Sequence, residues 1–395
     1  MQRPSPGLLY KSFESYGLPV IRSLTGTSLF MEERGLEVFA PEEEEPDKDS
    51  EVFFNEKMLN NRDISQIAVK VFRERAGLEE EFRVADALAA SGIRGFRYGE
   101  YATDLHLNDV NPEAVEAIGK GLDENGIEAT VHEEDANVFL SEFGNYFHFI
   151  DVDPFGSFTK FLDSTARAAN HTSFVGLTST DNAAPAGSYP TVCERRYGSK
   201  PIKNDFMHEI GLRIYLKEVF RNFARFDKCF DPKVCFHERH YTRVMGRVTE
   251  SKKRTNKALE NVGYLSYCGN CLWRKFERVK NCPECGEETQ EAGPLWTGKF
   301  VDQRFTSDML EDMPEEWEAY EFLEKLDAEA EIITPYYDIH ALASNIGTSS
   351  PRREEFIQAL REKGYPVERT HFSPTGVKTD APIQDLKDVI RDLKA

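Results

Sequence analysis

The chain has 395 residues, 40% hydrophobic and 30% charged, enough for two domains with real cores and a small further module. No apolar run reaches membrane-spanning length and the first residues lack a signal-peptide apolar core, which argues against a membrane or exported protein. The net charge of −20 opposes a nucleic-acid partner overall, yet residues 190–280 hold about 21 Lys/Arg against about 10 Asp/Glu, roughly +11, with about −31 elsewhere.

Residues 1 to about 35 show no clear period, and 41–51 reads as an acidic, Pro-containing linker, so 1–51 is an extension before the first domain. Ile64, Ile67, Ala68, Val71 and Phe72 fall at helical spacing and predict an amphipathic helix over 61–76. Strand and helix signals then alternate. Strands are predicted over 83–87, 104–108, 128–132, 146–152 and 173–178. Helices begin at 92 and at Pro112, the latter running to Asn125-Gly126, and another covers 158–169. This rhythm implies a mostly parallel sheet with helices on both faces. A long helix over 205–226 precedes β runs at 233–237 and 242–248, close enough to form a hairpin and give the sheet an antiparallel edge. The expected fold is α/β, with a Rossmann-like domain over 52–250 and an α+β region over 251–395. Within the latter, 264–300 carries cysteine pairs, 315–331 reads as an acidic helix, and 334–395 has the helix, helix and β-wing outline of a winged helix.

The run Phe147-His-Phe-Ile-Asp-Val-Asp-Pro-Phe-Gly156 ends a strand in a carboxylate, a prolyl carbonyl and an aromatic face. In open α/β sheets ligands bind at that edge. A planar base with an exocyclic amine can stack on Phe155 while Asp153 and the Pro154 carbonyl accept its N–H groups, as in methyltransferases acting on nucleobase amines. The loop Asp86-Ala-Leu-Ala-Ala-Ser-Gly92-Ile-Arg-Gly95 lets a ligand approach the backbone, but lacks the Gly-x-Gly-x-x-Gly spacing of a dinucleotide site. Asp109 and Asp135 follow the next two strands. Asp109 suits the hydroxyls of a ribose and Asp135 an adenine amine, although Asp at such junctions is more often a helix cap. Three carboxylates at successive strand ends describe an adenosyl ligand on one side and an amine acceptor on the other.

Four of the seven cysteines form Cys268-x-x-Cys271 and Cys282-x-x-Cys285, a spacing that suits a closed four-thiolate structural zinc site. The other three, Cys193, Cys229 and Cys235, are scattered, a pattern that suggests a reducing cytoplasm rather than a disulfide framework. His208, His237 and His240 lack metal-ligand spacing and read as packing or hydrogen-bonding residues. Lys252, Lys253 and Arg254 in the basic segment, and Lys378 on the wing, are candidate phosphate contacts, since binding follows local potential rather than net charge.

From residue 52 to the C-terminus the motifs occur in a telling order: Val52-Phe-Phe-Asn-Glu-Lys-Met58, Asn61-Arg-Asp63, Ser91-Gly-Ile-Arg-Gly95, Asn108-Asp109, Asp135-Ala136, Asp153-Pro-Phe-Gly-Ser157, Thr178-Ser-Thr-Asp181 and Thr370-His-Phe-Ser-Pro-Thr-Gly376. The chain resembles the tRNA (guanine-N2-)-dimethyltransferases, which use S-adenosyl-L-methionine to methylate guanosine 26 of tRNA. The resemblance implies a class I methyltransferase domain and a tRNA-gripping C-terminal region, with a four-cysteine metal site in many members. It implies cofactor binding by Arg62, Arg94, Asp109, Asp135 and Ala136. It puts Phe53 beside the acceptor pocket and Asp153 on the guanine amine. Phe54, Glu56 and Phe158 depart from the family's usual residues and bear on the fine shape of that pocket. Rival readings are a same-fold enzyme acting on another base amine in RNA or DNA, and a zinc-ribbon and winged-helix binding protein with an inactive catalytic half. Intact Asp109, Asp135 and Asp153 disfavour the second.

Overall fold

The computed structural model describes residues 20–22, 30–40, 50 and 52–394. Nearly all of the linker expected over 41–51 lies outside the described residues. Seven strands form the central sheet: β1 (Arg83–Asp86), β2 (Asp104–Asn108), β3 (Thr130–His132), β4 (Phe147–Val152), β5 (Ala169–Ser179), β6 (Lys228–Glu238) and β7 (Tyr241–Glu250). Their order is β3-β2-β1-β4-β5-β7-β6. β1 to β5 are parallel, and β7 is antiparallel to both neighbours. Helices α1 (Leu59–Ala76), α2 (Ile93–Gly99), α3 (Pro112–Asn125), α4 (Ala136–Ser141), α5 (Leu162–Ala168), α6 (Pro190–Tyr197) and α7 (Met207–Ala224) supply the layers around it. Every residue of β4 is buried, as a central strand covered on both faces requires. The strand order reverses between β1 and β4, so the connections after them part and leave a crevice at the carboxyl edge.

The predicted alternation is present, with two instructive shifts. The stretch over 158–169 divides into a 3-10 turn, Phe158–Phe161, and α5, because Ser157 caps the turn by accepting from the Thr159 N–H. β6 starts five residues before the expected position and runs through Pro232. It is the edge strand of the sheet, where a residue without an N–H need not break a ladder.

The first 35 residues are not uniformly without pattern. Phe30–Glu33 pairs with Leu36–Phe39 across an Arg34-Gly35 turn with φ of 54° and 78°. Two successive positive φ values belong to the type I′ hairpin, whose twist suits antiparallel strands. This hairpin packs on α3 and α2.

Beyond Glu250, α8 (Lys252–Ala258) leads to a small sheet of Val262–Tyr267, Arg274–Lys275 and Gln290–Trp296. Then come α9 (Gln303–Asp312) and α10 (Glu318–Glu329). α11 (Ile339–Asn345), α12 (Arg353–Glu362) and α13 (Ile383–Asp392) surround a second sheet of Tyr337–Asp338, Gly376–Thr379 and Val367–Arg369. The acidic stretch over 302–331 has partners: Lys233 meets Asp302 at 2.6 Å, and Lys70 on α1 meets Asp312 at 2.6 Å. Arg213 on α7, wholly buried, donates to Glu209 and to the carbonyls of Trp296, Gly298 and Ile333, tying the C-terminal region to the helix layer of the central sheet. Among the described residues, no helix is long and apolar enough to cross a membrane.

Candidate active site

Asn108 at the end of β2 staples three strand ends together. Its amide donates to the carbonyls of Ala87 (3.0 Å) and Glu134 (3.1 Å), and its side-chain oxygen accepts from the Glu134 N–H (3.2 Å). The connections after β1 and β3 are thus held against the one after β2. Asp109 Oδ2 accepts from the Ala90 N–H at 2.8 Å and Oδ1 from the Asn111 N–H at 2.9 Å. A carboxylate has about four lone-pair positions, so two remain for hydroxyls. Asp135 caps α4 through Asn137 at 2.9 Å, as Asp at such a junction commonly does, but is exposed, and its second oxygen has no partner among the described residues. Ala136 beside it is buried. Gly92 opens α2 with φ +82°, and a Cβ there would also overlap the Phe96 ring, so the tight turn requires glycine.

Asp153, immediately after β4, receives the Arg94 guanidinium: Nη2 lies 2.6 Å from its carboxylate and 3.0 Å from Asn61 Oδ1. A residue read as donor-side and one read as acceptor-side therefore touch. Phe155 is half exposed and stands edge-on to Phe53, ring centroids 4.6 Å apart at 78°. Pro154 is buried. The loop is anchored from behind. Thr180 Oγ1 accepts from the Gly156 N–H at 2.8 Å, and the Gly156 carbonyl accepts from the Thr180 N–H at 2.9 Å and Ser179 Oγ at 3.2 Å.

Beneath the site lies a charged set that the sequence reading did not single out. Asp151 on β4, fully buried, accepts both Arg243 guanidinium nitrogens at 2.8 Å and the Tyr98 hydroxyl at 2.5 Å. Burial alone would raise its pKa, but Arg243 and then Arg94 hold Asp151 below the usual carboxylate range. Asp86, at the end of β1, is pushed well above that range by burial and by the Asp151 charge. An ionisable residue inside a buried strand, as at Asp86 and Asp151, was the available signal.

The crevice leaves polar valences open. Asn61 Nδ2, Asp86 Oδ1 and Arg94 Nη1 are three of the nine buried side-chain atoms without a hydrogen-bond partner among the described residues, and a ligand beside the Arg94–Asp153 pair would complete them. Two are donors that suit a carboxylate, and the third is an acceptor that suits an ammonium. Charges agree: Asp86, Asp151 and Asp153 share Arg94 and Arg243, while Arg34, Arg62 and Arg97 share Glu33 and Asp63. The first set has a third carboxyl group, Asp86, that an ammonium would ionise, and the other has a surplus guanidinium. A zwitterionic amino-acid group joined to an adenosine fits both, so these residues suit S-adenosyl-L-methionine.

The four Cys Sγ atoms lie within 4.8 Å of one another, with Cys268–Cys285 at 3.5 Å and Cys271–Cys282 at 3.4 Å. Tetrahedral zinc with Zn–S of about 2.3 Å separates its sulfurs by about 3.8 Å, so this donor set fits. His237 stacks on His208 at 4.2 Å, and burial drives its pKa down to about 3, so it packs neutral.

The phosphate contacts read from sequence do not gather at the site. Lys378 is buried: Nζ donates to Glu209 (3.2 Å) and the Ile332 carbonyl (3.3 Å) and lies over Phe300. Gly376–Thr379 pairs with Val367–Arg369 as the expected arms do, but Lys378 is withdrawn from solvent, so its assignment as a phosphate contact is corrected. Lys252, Lys253 and Arg254 are exposed on α8, but α8 follows the end of β7, whose Thr249 pairs with Thr172 near the start of β5. They stand at the sheet edge opposite Asp153, about 30 Å away by the rise of a ten-residue strand. Arg213, Lys217, Lys228, Arg243 and Arg274 are buried, so local charge overstates the basic surface. Near the site, Arg195, Arg196, Lys200 and Lys203 are exposed around α6, beside exposed Tyr189. Asp181, next to the Thr180 anchor, takes Arg196 at 2.7 Å.

A doubly wound sheet of this order, with an adenosyl-compatible crevice and a base-amine motif after β4, defines a class I methyltransferase. The sequence model of the N2,N2-dimethylguanosine tRNA methyltransferases matches residues 37–391. The tRNA (guanine(26)-N(2))-dimethyltransferase of Methanosphaera stadtmanae is 34% identical over 92% of this chain and 97% of its own. That of Methanosarcina acetivorans is 36% identical over 88% and 93%. Trm1 from Pyrococcus horikoshii, solved in complex with S-adenosyl-L-methionine, superposes with a TM-score of 0.80 at 30% identity, covering 90% of this chain and 97% of that one. The chain belongs to the N2,N2-dimethylguanosine tRNA methyltransferase family.

Proposed function

We propose that this chain transfers methyl groups from S-adenosyl-L-methionine to the exocyclic N2 amine of guanosine 26 in tRNA, twice, giving N2,N2-dimethylguanosine. The observation that carries it is Asp153: it follows β4 at the switch-point crevice and pairs with Arg94, a residue assigned to the cofactor. Asn61, Asp86, Arg62 and Arg94 hold the amino-acid part of the cofactor, and Asp109, Asp135 and Ala136 its adenosine. When bound, the cofactor supplies an electrophilic methyl group.

The protein's part is to make a poor nucleophile available. The N2 lone pair is delocalised into the guanine ring. Asp153 and the Pro154 carbonyl accept its N–H groups and favour a pyramidal nitrogen, while Phe155, with Phe53 at its edge, provides a stacking face for a flipped base. The proton shed as N2 gains carbon passes to Asp153, which is partly exposed and can return it to water. After the first transfer one N–H remains for the same acceptors. Arg195, Arg196, Lys200 and Lys203 contact phosphates beside the pocket, and each phosphate neutralised releases counterions. Cys268, Cys271, Cys282 and Cys285 bind one structural Zn2+. Acting on tRNA, the enzyme works in the cytoplasm.

Incubation of tRNA with labelled S-adenosyl-L-methionine, followed by nucleoside analysis, tests this. Label should appear in N2-methylated guanosine and vanish in a transcript carrying adenosine at position 26. Label in another nucleoside, or in DNA, would reassign the target.

A further inference from the structure

Arg62, assigned above to the cofactor, is held by a carboxylate that lies outside the central sheet. Glu33, on the Phe30–Glu33 strand of the N-terminal hairpin, is 1% exposed. Its Oε1 accepts from Arg62 Nε at 2.8 Å, its Oε2 from Arg62 Nη2, and Oε1 also takes Arg97 Nη1 at 2.9 Å. Arg62 Nη1 donates to the Asn55 carbonyl at 3.0 Å, and the Phe54 ring covers the guanidinium at 5.1 Å. A guanidinium has five N–H groups, so two remain, one on each terminal nitrogen.

The neighbouring charges are arranged so that Arg62 is the least neutralised. Arg97 also binds Asp63 and Gln66. Arg34 takes Asp63 at 2.7 Å, stacks on Trp317 at 4.2 Å, and its side chain is 18% exposed, so water shares its charge. Arg62 has Glu33 as its sole carboxylate among the described residues and shares it with Arg97.

We propose that Glu33 is a positioning residue for the cofactor's carboxylate: by gripping Nε and Nη2 of Arg62 edge-on, it fixes the guanidinium with its two free N–H groups toward the crevice. The hairpin is thereby part of the cofactor site rather than an appendage. This rests on the assignment of Arg62 to the cofactor. Burial raises the pKa of Glu33, but Arg62 and then Arg97 bring it below the usual carboxylate range, so it grips as an anion.

The test compares two ligands by calorimetry on the full chain. S-adenosylhomocysteine carries the amino-acid group; 5′-methylthioadenosine has the same adenosine and thioether without it. In Glu33→Gln one carboxylate oxygen becomes an NH2 that faces a guanidinium, so Arg62 loses its two-point grip. S-adenosylhomocysteine should bind about tenfold more weakly, the scale of one charge-assisted hydrogen bond, with methylthioadenosine unchanged. Glu33→Asp, which keeps the charge, should recover part of the loss. Arg62→Met is the control for the underlying assignment and should show the same ligand selectivity. Equal weakening of both ligands in Glu33→Gln and Glu33→Asp would mean a merely structural residue and overturn the proposal. Selective loss in Arg62→Met but none in Glu33→Gln would overturn it while leaving Arg62 on the cofactor. No selective loss in either variant would remove the Arg62 assignment and the proposal with it.

Discussion

Asp153→Ala takes away a carboxylate with two duties, and the structure sets the size of each effect. Arg94 loses the partner at 2.6 Å but keeps Asn61 Oδ1 at 3.0 Å and the Asp151 charge at 4.0 Å. Breaking a fully buried ion pair costs about 3–5 kcal/mol, and this pair is less than that because the Asp153 side chain is 20% exposed. A loss of about 1–2 kcal/mol is expected, within what a marginally stable fold survives. The catalytic loss is larger. Removing a fixed acceptor aimed at charge that develops in the transition state lowers turnover by about 10²- to 10³-fold. Because Arg94, proposed to hold the cofactor, also pairs with Asp153, S-adenosylhomocysteine affinity should move severalfold rather than stay constant. Single-turnover methylation of tRNA with enzyme in excess measures the first quantity, calorimetry the second and urea unfolding the third. Turnover within severalfold of the parent would refute the acceptor role. So would loss of cofactor affinity as complete as the loss of turnover.

Arg243→Met leaves Asp151 buried without its bidentate partner and should cost about 3–5 kcal/mol in urea unfolding; Gly176→Ala, whose Cβ would overlap that guanidinium, should destabilise in the same direction, and unchanged midpoints would show the pair to be dispensable. Cys282→Ser should abolish a one-to-one zinc content and lower the thermal stability of the C-terminal region, since thiolate ligation is coupled to local folding; purified parent protein without metal would exclude the site. Replacing Arg195, Arg196 and Lys200 by Ala should weaken tRNA binding and flatten its salt dependence by about one slope unit for each phosphate no longer neutralised, while Lys252, Lys253 and Arg254 replaced together should do less from the far edge; the reverse ranking would place tRNA on the α8 side. Asp86 lies above the ordinary carboxylate range in the free protein, and a cofactor ammonium favours its ionised form, so binding should release a proton and tighten as pH rises toward that raised pKa; equal binding heats in buffers of unlike ionisation enthalpy would rule this out.

Much of this protein was legible in its residues. The alternating strand and helix periods, the tightly spaced hairpin after a long helix, and the cysteine spacing are local patterns, set by side-chain period and ligand geometry, so they survive without knowledge of the fold. The same holds for the acidic residues closing successive strands: at a parallel sheet's carboxyl edge they converge wherever the strands are adjacent. The Arg34-Gly35 hairpin was also written in the sequence, as a two-residue turn between short strands, but lay in a stretch without longer periodicity. What no linear reading separates is a solvated charge from a buried one. Lys378, Arg213 and Arg243 look like surface cations, yet each is withdrawn inside against a carboxylate, and for two of them that carboxylate is far away in sequence: Glu209 is 169 residues from Lys378, and Asp151 is 92 from Arg243. Likewise, nothing local joins Glu33 to Arg62 and Arg97, or Arg94 to Asp153. Those pairings exist because the sheet's reversal between β1 and β4 and the packing of the hairpin on α2 and α3 bring distant chain together, and desolvation then allows only paired charges to remain.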